Sequence, residues 1–313
     1  MSLLPVIINA LVPIAFVILL GFLAGHFGLF KAESGEVLAN LGLTFCLPAL
    51  LFNATATMTM AELHDWRFFL GLALGLLVIY FLALTISMGI FRKPVDASSL
   101  QALSSAFPSM ALVGIPLLLA LIGRSAVLSV AFANLVVSFV MMPVTLTLLE
   151  AGRPTEAGHT RSAVVWGCLL HAIKQPLVWA PIAGLAMAAA HIRLPEMAQR
   201  SFALIGEATS GVALFATGLL LSGQKLRISS AVALSVTLKN LAQPAVMWLI
   251  ALLFGLTTLH RREMVLLGAV PTAVGPMMLA THYKVDLDES EATIFLSTVL
   301  SMGTMGAFIA LTY

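Results

Sequence analysis

The sequence predicts an all-α polytopic membrane protein, with ten transmembrane helices arranged as two inverted five-helix repeats and with helices four and nine broken where they cross. Three observations predict it. The 313 residues are 60% apolar and only 10% charged, with a mean hydropathy of +1.04, whereas a soluble domain carries about a quarter charged residues. A spanning helix needs about 20 apolar residues, and ten such windows follow one another, at 5–27, 36–57, 67–91, 99–121, 126–149, 172–190, 200–222, 230–255, 263–282 and 290–312. Finally, a shift of 163 positions superposes Pro13 on Pro176, Gly21 on Gly184, Glu33 on Glu196, Phe52 on Phe215, Pro108 on Pro271 and Ser138 on Ser301. That is the signature of an internal repeat.

The first window lacks a basic leader and a small-residue cleavage site, so it reads as a retained helix rather than a signal peptide. Windows one to five form a first repeat, 1–150. The polar stretch 151–162, with Gly152, Pro154 and Gly158, is a linker, and 163–313 forms the second repeat. Ser162–Leu170 suits an in-plane helix leading into window six. Five spans is an odd number, so the second half enters the membrane with opposite polarity. With the N-terminus outside, the inner connections hold Lys31, Arg92, Lys93, Arg153, Arg161, Lys174, Lys225, Arg227 and Lys284. The outer ones hold Arg67, Arg124, Arg193, Arg200, Arg261 and Arg262. The excess of inner lysine and arginine favours both termini outside.

Windows four and nine carry the chemistry. Ala106–Leu118 holds Pro108, Gly114 and Pro116, and Val270–Met277 holds Pro271, Gly275 and Pro276. Proline removes a backbone donor and clashes with the carbonyl one turn earlier. In hydrocarbon such a break persists only where it is buried or lines a cavity. A pair of interrupted segments at matching positions of two halves points to a carrier's substrate site. Free amides at half-helix N-termini suit an anion. Pro108, Ser109, Met110, Gly114, Pro116, Pro271, Thr272, Ala273, Gly275 and Pro276 are therefore the candidate substrate-binding residues. The bland alternative is a pair of proline-kinked helices that pack normally.

Lys239 lies in the middle of window eight. A charge there is costly, so function is the default reading; snorkelling or a structural ion pair is the alternative. It joins the substrate-binding candidates as a source of positive charge. Lys239, Gln243 one turn on and Glu207 in window seven are ion-coupling candidates, with a Lys239–Glu207 pair as one arrangement. A solvated Glu207 at the outer interface is the other. Asn53, Thr55 and Thr57 suit a helix end. Asn134 with Ser138, and Ser297 with Ser301, suit hydrogen bonds between helices. Leu47–Pro48 and Ser210–Gly211 are further weak points. The acidic run Asp286–Glu291 suits the N-terminus of the last helix. His26, His171 and His282 suit interfaces. Cys46 and Cys168 read as buried thiols. No metal site, cofactor motif or catalytic motif is present, and no basic run suggests nucleic acid. The chain reads as a non-enzyme.

With those residues in place, the sequence resembles the auxin efflux carrier family, which includes plant PIN proteins and bacterial malonate transporters; the bacterial malonate-transporter branch is the nearer likeness. The resemblance rests on Leu47–Phe52, on Gly114–Leu117, on Lys239 with Pro244, and on Ala269–Val274, in that order along nearly the whole chain. It implies ten spans, crossed broken helices four and nine in a moving transport domain, and a scaffold of spans one, two, six and seven, often a homodimer interface. It further implies elevator-like secondary active transport of small organic anions, here malonate or a related carboxylate, across a bacterial inner membrane. In plant members an asparagine follows each crossover proline; here Ser109 and Thr272 stand there, which implies a different substrate or pose. A non-transporting membrane sensor on the same fold is the alternative.

Overall fold

The computed structural model describes residues 3–57, 66–151, 166, 167, 170, 173–192, 194–224 and 227–313. The linker 151–162 except Ala151, most of the expected in-plane helix, Cys168, His171, Arg193 and Lys225 lie outside the described residues. The helices are α1 (Leu3–His26), α2 (Glu33–Ala56), α3 (Trp66–Gly89), α4 (Val95–Ala106), α5 (Met110–Leu121) and α6 (Val127–Ala151). They continue with α7 (Pro176–Ala189), α8 (Glu196–Ser222), α9 (Ser230–Leu253), α10 (Thr258–Ala269), α11 (Gly275–Tyr283) and α12 (Leu287–Thr312).

Seven of these, α1, α2, α3, α6, α8, α9 and α12, are long and apolar enough to cross a membrane. The expected spans four and nine are each two shorter helices, α4 with α5 and α10 with α11. The expected span six is the 14-residue α7. Local chemistry sets several boundaries. The Ser229 hydroxyl caps α9 at the Val232 amide, and the Thr257 hydroxyl caps α10 at the His260 amide. Asp288 and Glu289 sit in the first turn of α12, where the helix dipole favours negative charge.

Proline leaves a second mark. Four helices widen into a π turn: Gly42–Cys46 in α2, Met110–Gly114 in α5, Val137–Met141 in α6 and Leu238–Ala242 in α9. Each is followed two residues later by a proline, respectively Pro48, Pro116, Pro143 and Pro244. The wider turn frees the carbonyl that the proline ring would meet and the missing donor could not serve. Pro48 thus weakens α2 as the sequence suggested. Ser210–Gly211, by contrast, runs through regular helix.

The helices pack in two groups. α1 lies along α8, α7 along α2, and α2 against α8. These contacts are close because glycine permits them. A Cβ on Gly21 would strike the Phe215 carbonyl, and one on Gly184 would lie 2.6 Å from the Phe52 carbonyl. In the second group α3 packs on α4 and α9, α9 on α10, α4 on α6, and α12 on α9 and α10. Alternate connections gather at opposite ends. At one end Lys93 pairs with Asp286 (2.7 Å) and Glu289, and Arg227 with Asp288 (3.2 Å). At the other, Arg262 donates to the Thr312 carbonyl and stacks over Tyr313, whose hydroxyl donates to the Leu121 carbonyl. So α4 and α5 together run from one end of the molecule to the other.

Candidate functional site: the crossing of two broken helices

Between Ala106 and Met110, and between Ala269 and Gly275, the chain leaves the helix, and the two segments pass antiparallel. Pro108 lies opposite Thr272. The Ser109 amide donates to the Pro271 carbonyl (2.7 Å), and the Ala273 amide donates to the Phe107 carbonyl (2.9 Å). Pro108 thus occupies a position in the pair where no amide is needed, and Pro271 contributes only its carbonyl.

Four helix ends meet here. The C-termini of α4 and α10 expose carbonyls on one side, and buried side chains answer them. Gln243 donates to the Ala106 carbonyl (2.8 Å), the Thr272 hydroxyl to the Ser104 carbonyl (2.9 Å) and the Lys239 ammonium to the Gly268 carbonyl (2.7 Å). Ser297 on α12 accepts from the Thr272 amide (3.0 Å) and donates to the Asn240 carboxamide (2.6 Å), which donates back to the Ser297 carbonyl (2.9 Å). Lys239 is fully buried, at 0% exposure. Its ammonium lies against a helix C-terminus, where the partial negative charge favours it.

The N-terminal turns of α5 and α11 face the other way, into a cavity of about 560 Å³. Phe107 to Leu112 and Ala273 to Gly275, with Met277 and Met278, form its floor. Glu36, Asn40 and Leu43 of α2, Asn134, Ser138 and Met142 of α6, Gln175 and Leu177 at the start of α7, and Leu220 of α8 form its walls. Both packing groups therefore contribute. The first amides of a helix have no intrahelical partner, so two amide-rich, partially positive ends converge on one space. No lysine, arginine or histidine lines it among the described residues; its single charged side chain is Glu36.

Of the residues singled out from sequence, Pro108, Ser109, Met110, Ala273 and Gly275 line the cavity. Gly114, Pro116, Pro271, Thr272 and Pro276 lie buried behind it. Lys239 and Gln243 brace the crossing from the far side and do not reach the cavity. Glu207 is exposed on α8 and belongs to none of the ion pairs among the described residues. Lys239 takes the Gly268 carbonyl as its partner instead. Thr55 and Thr57 bond back onto their own helix, and Ser297 bonds between helices, as their positions suggested, whereas the Ser301 hydroxyl donates to the Thr298 carbonyl of its own helix. Asn134 and Ser138 do not follow that pattern: both line the cavity, and the Asn134 Nδ2 has no hydrogen-bond partner among the described residues.

Three residues escaped the sequence reading. Glu36 and Asn40, one turn apart at the start of α2, carried no local signal beyond that spacing. Glu263 is a carboxylate buried within the helical core. It is 3% exposed and accepts from Ser129 on α6. Because α10 begins five residues before the apolar window, at Thr258, Arg261 and Arg262 looked like part of a connection and Glu263 like the edge of the span.

Comparison with known proteins agrees with this architecture. The family described as "Membrane transport protein" matches residues 6–309. The chain is 27% identical to "Uncharacterized transporter YfdV" of Escherichia coli K12, over 93% of both chains. It is 25% identical to "Putative malonate transporter" of Rhizobium meliloti, over 97% of this chain and 95% of that one. It is 24% identical to "Auxin efflux carrier component 5" of Arabidopsis thaliana, over 97% and 96%. A multi-pass helical chain whose matched region holds both broken helices, it belongs to the membrane transport protein family of the auxin efflux carriers, a family of transporters and not of enzymes.

Proposed function

We propose that the protein is a secondary active transporter of small organic anions, malonate or a related carboxylate, working by elevator-like alternating access. The observation that carries this reading is the convergence of the α5 and α11 N-terminal turns on one cavity. Their free amides suit a carboxylate, and Ser109 adds a hydroxyl beside them. Lys239, Asn240 and Gln243 hold the crossing rigid from behind.

The ten-span inverted repeat is part of the proposal, and the packing supports it. Exchanging the halves at an offset of 163 turns the Gly21–Phe215 contact into the Gly184–Phe52 contact. It likewise turns α1 on α8 into α7 on α2, and α3 on α4 into α9 on α10. The group α1, α2, α7 and α8 is the scaffold, and its outer face is the candidate homodimer surface. The other group carries the substrate. With both termini periplasmic in a bacterial inner membrane, the cavity opens to the cytoplasm.

The test is uptake of labelled malonate into liposomes holding the purified protein. Saturable uptake with counterflow is expected, reduced at least about tenfold by Gly275→Leu, whose Cβ would come within 2.8 Å of the Phe107 ring and displace the cavity floor. Gly275→Leu uptake at the wild-type rate overturns this site. Malonate binding without flux replaces transport by the sensor reading.

A further inference from the structure

We infer that the cavity takes a carboxylate bound as a single negative charge and carrying a second, uncharged hydrogen-bond acceptor, and that the Asn134 carboxamide reads that acceptor. This rests on the carboxylate reading above and narrows its substrate class.

The charge inventory limits the ligand's charge. Each helix N-terminus is worth roughly half a positive charge, so the α5 and α11 ends together offset about one negative charge. The lining holds no basic side chain among the described residues, and its one charged group, the Glu36 carboxylate, repels anions. Lys239 does not help, because its ammonium is engaged by the Gly268 carbonyl on the far side of the crossing. A dianion would leave one charge unbalanced in a space walled chiefly by Leu, Met, Phe and Val side chains.

The donor inventory then asks for a second polar group. Asn134 lines the cavity, and the Nδ2 of its carboxamide is buried and has no hydrogen-bond partner among the described residues. A buried unpaired donor is unfavourable, and a ligand oxygen relieves it. Ser138, one helical turn further along α6, lines the same wall. Asn134 stands on α6, in the wall of the cavity rather than on the crossing segments that form its floor, so it is placed to meet a part of the ligand other than the carboxylate held at the helix ends. A keto acid, or a dicarboxylate with one carboxyl protonated, has both features.

The experiment competes unlabelled acids against labelled malonate uptake in the same liposomes. Pyruvate and propionate carry the same charge and chain length and differ in one keto oxygen. Pyruvate should compete about tenfold better on the wild-type protein, and the two should compete alike on Asn134→Leu. At alkaline pH, where malonate is a dianion, its monomethyl ester should compete about tenfold better than malonate itself. Equal competition by pyruvate and propionate on the wild type overturns the role of Asn134, as does a preference that survives Asn134→Leu. The wild-type comparison decides even where that variant fails to fold. Malonate dianion competing as well as the ester overturns the single charge. If the wild type takes up no malonate and binds none of these acids, the carboxylate reading itself falls and this inference with it. Uptake without the two preferences overturns this inference alone.

Discussion

Ser109 and Thr272 follow the two crossover prolines, occupy equivalent places in the repeat and carry the same functional group, yet they face different tasks. Ser109 lines the cavity. Thr272 turns away: its hydroxyl holds the Ser104 carbonyl and its amide the Ser297 hydroxyl, at 2% exposure. The crossing thus has a closed face and an open one. On the closed face helix C-termini meet side chains that bond their carbonyls. On the open face helix N-termini meet a cavity. Helix direction decides which half of a broken span faces the ligand, and between the equivalent serine and threonine it is the neighbouring partners that decide which hydroxyl does.

Four substitutions sharpen or break that comparison. The largest effect is expected from Lys239→Ala on the closed face. It leaves the Gly268 carbonyl buried and unpaired, a loss of about 1–3 kcal/mol or more with the charge included. Carboxylate uptake in liposomes should disappear, and the melting temperature should fall by several degrees while the protein still folds. Wild-type uptake would remove Lys239 from the mechanism.

A hydroxyl pair comes next. Thr272→Val should cost about 1–3 kcal/mol in thermal or chemical unfolding, because it orphans the Ser104 carbonyl. Ser109→Ala should change stability by less than about 0.5 kcal/mol and instead raise the half-saturation concentration for malonate several-fold. If the two variants lose stability equally, the distinction between faces fails.

The smallest effect belongs to the charged end, outside the crossing. Burial works against the Lys93 ammonium, but its hydrogen bonds to Asp286 and Glu289 and their charges outweigh this and raise its pKa. A lysine with a raised folded-state pKa contributes its full stability below the ordinary lysine value and loses it as pH climbs through the raised one. Lys93→Ala should therefore cost about 1 kcal/mol at neutral pH, less in high salt, and its difference from wild type should shrink only in strongly alkaline solution. A difference unchanged by salt would show that packing, not charge, is lost.

What the sequence made legible follows from how local each cause is. The breaks at Pro108 and Pro271 were readable because proline acts on its own backbone and on the turn before it. The depth of Lys239 was readable from its place in an apolar window. Its partner was not, since the Gly268 carbonyl lies on another helix, and no spacing rule names the helix opposite. Asn134 was misjudged for the same reason: an interhelical bond and an empty donor look identical until the facing wall is known. Glu263 was hidden by a helix that starts ahead of a charged run, under a cap set by Thr257. Seven full-length helices rather than ten reflect the two split spans and the short α7.

The π turn Leu238–Ala242 has a consequence for the length of the chain itself. Such a turn accommodates one residue more than an ordinary helical turn, and Lys239 and Asn240 lie inside it with Gln243 just beyond. Deleting a single residue there would rewind the segment as plain helix, with the flanking helices still in phase but the side chains inside the turn one fewer and re-spaced around the axis. Lys239 and Asn240 could then no longer both keep the Gly268 carbonyl and Ser297, without any change of side-chain chemistry. At this place the backbone's residue count is as much a part of the specification as the residues themselves.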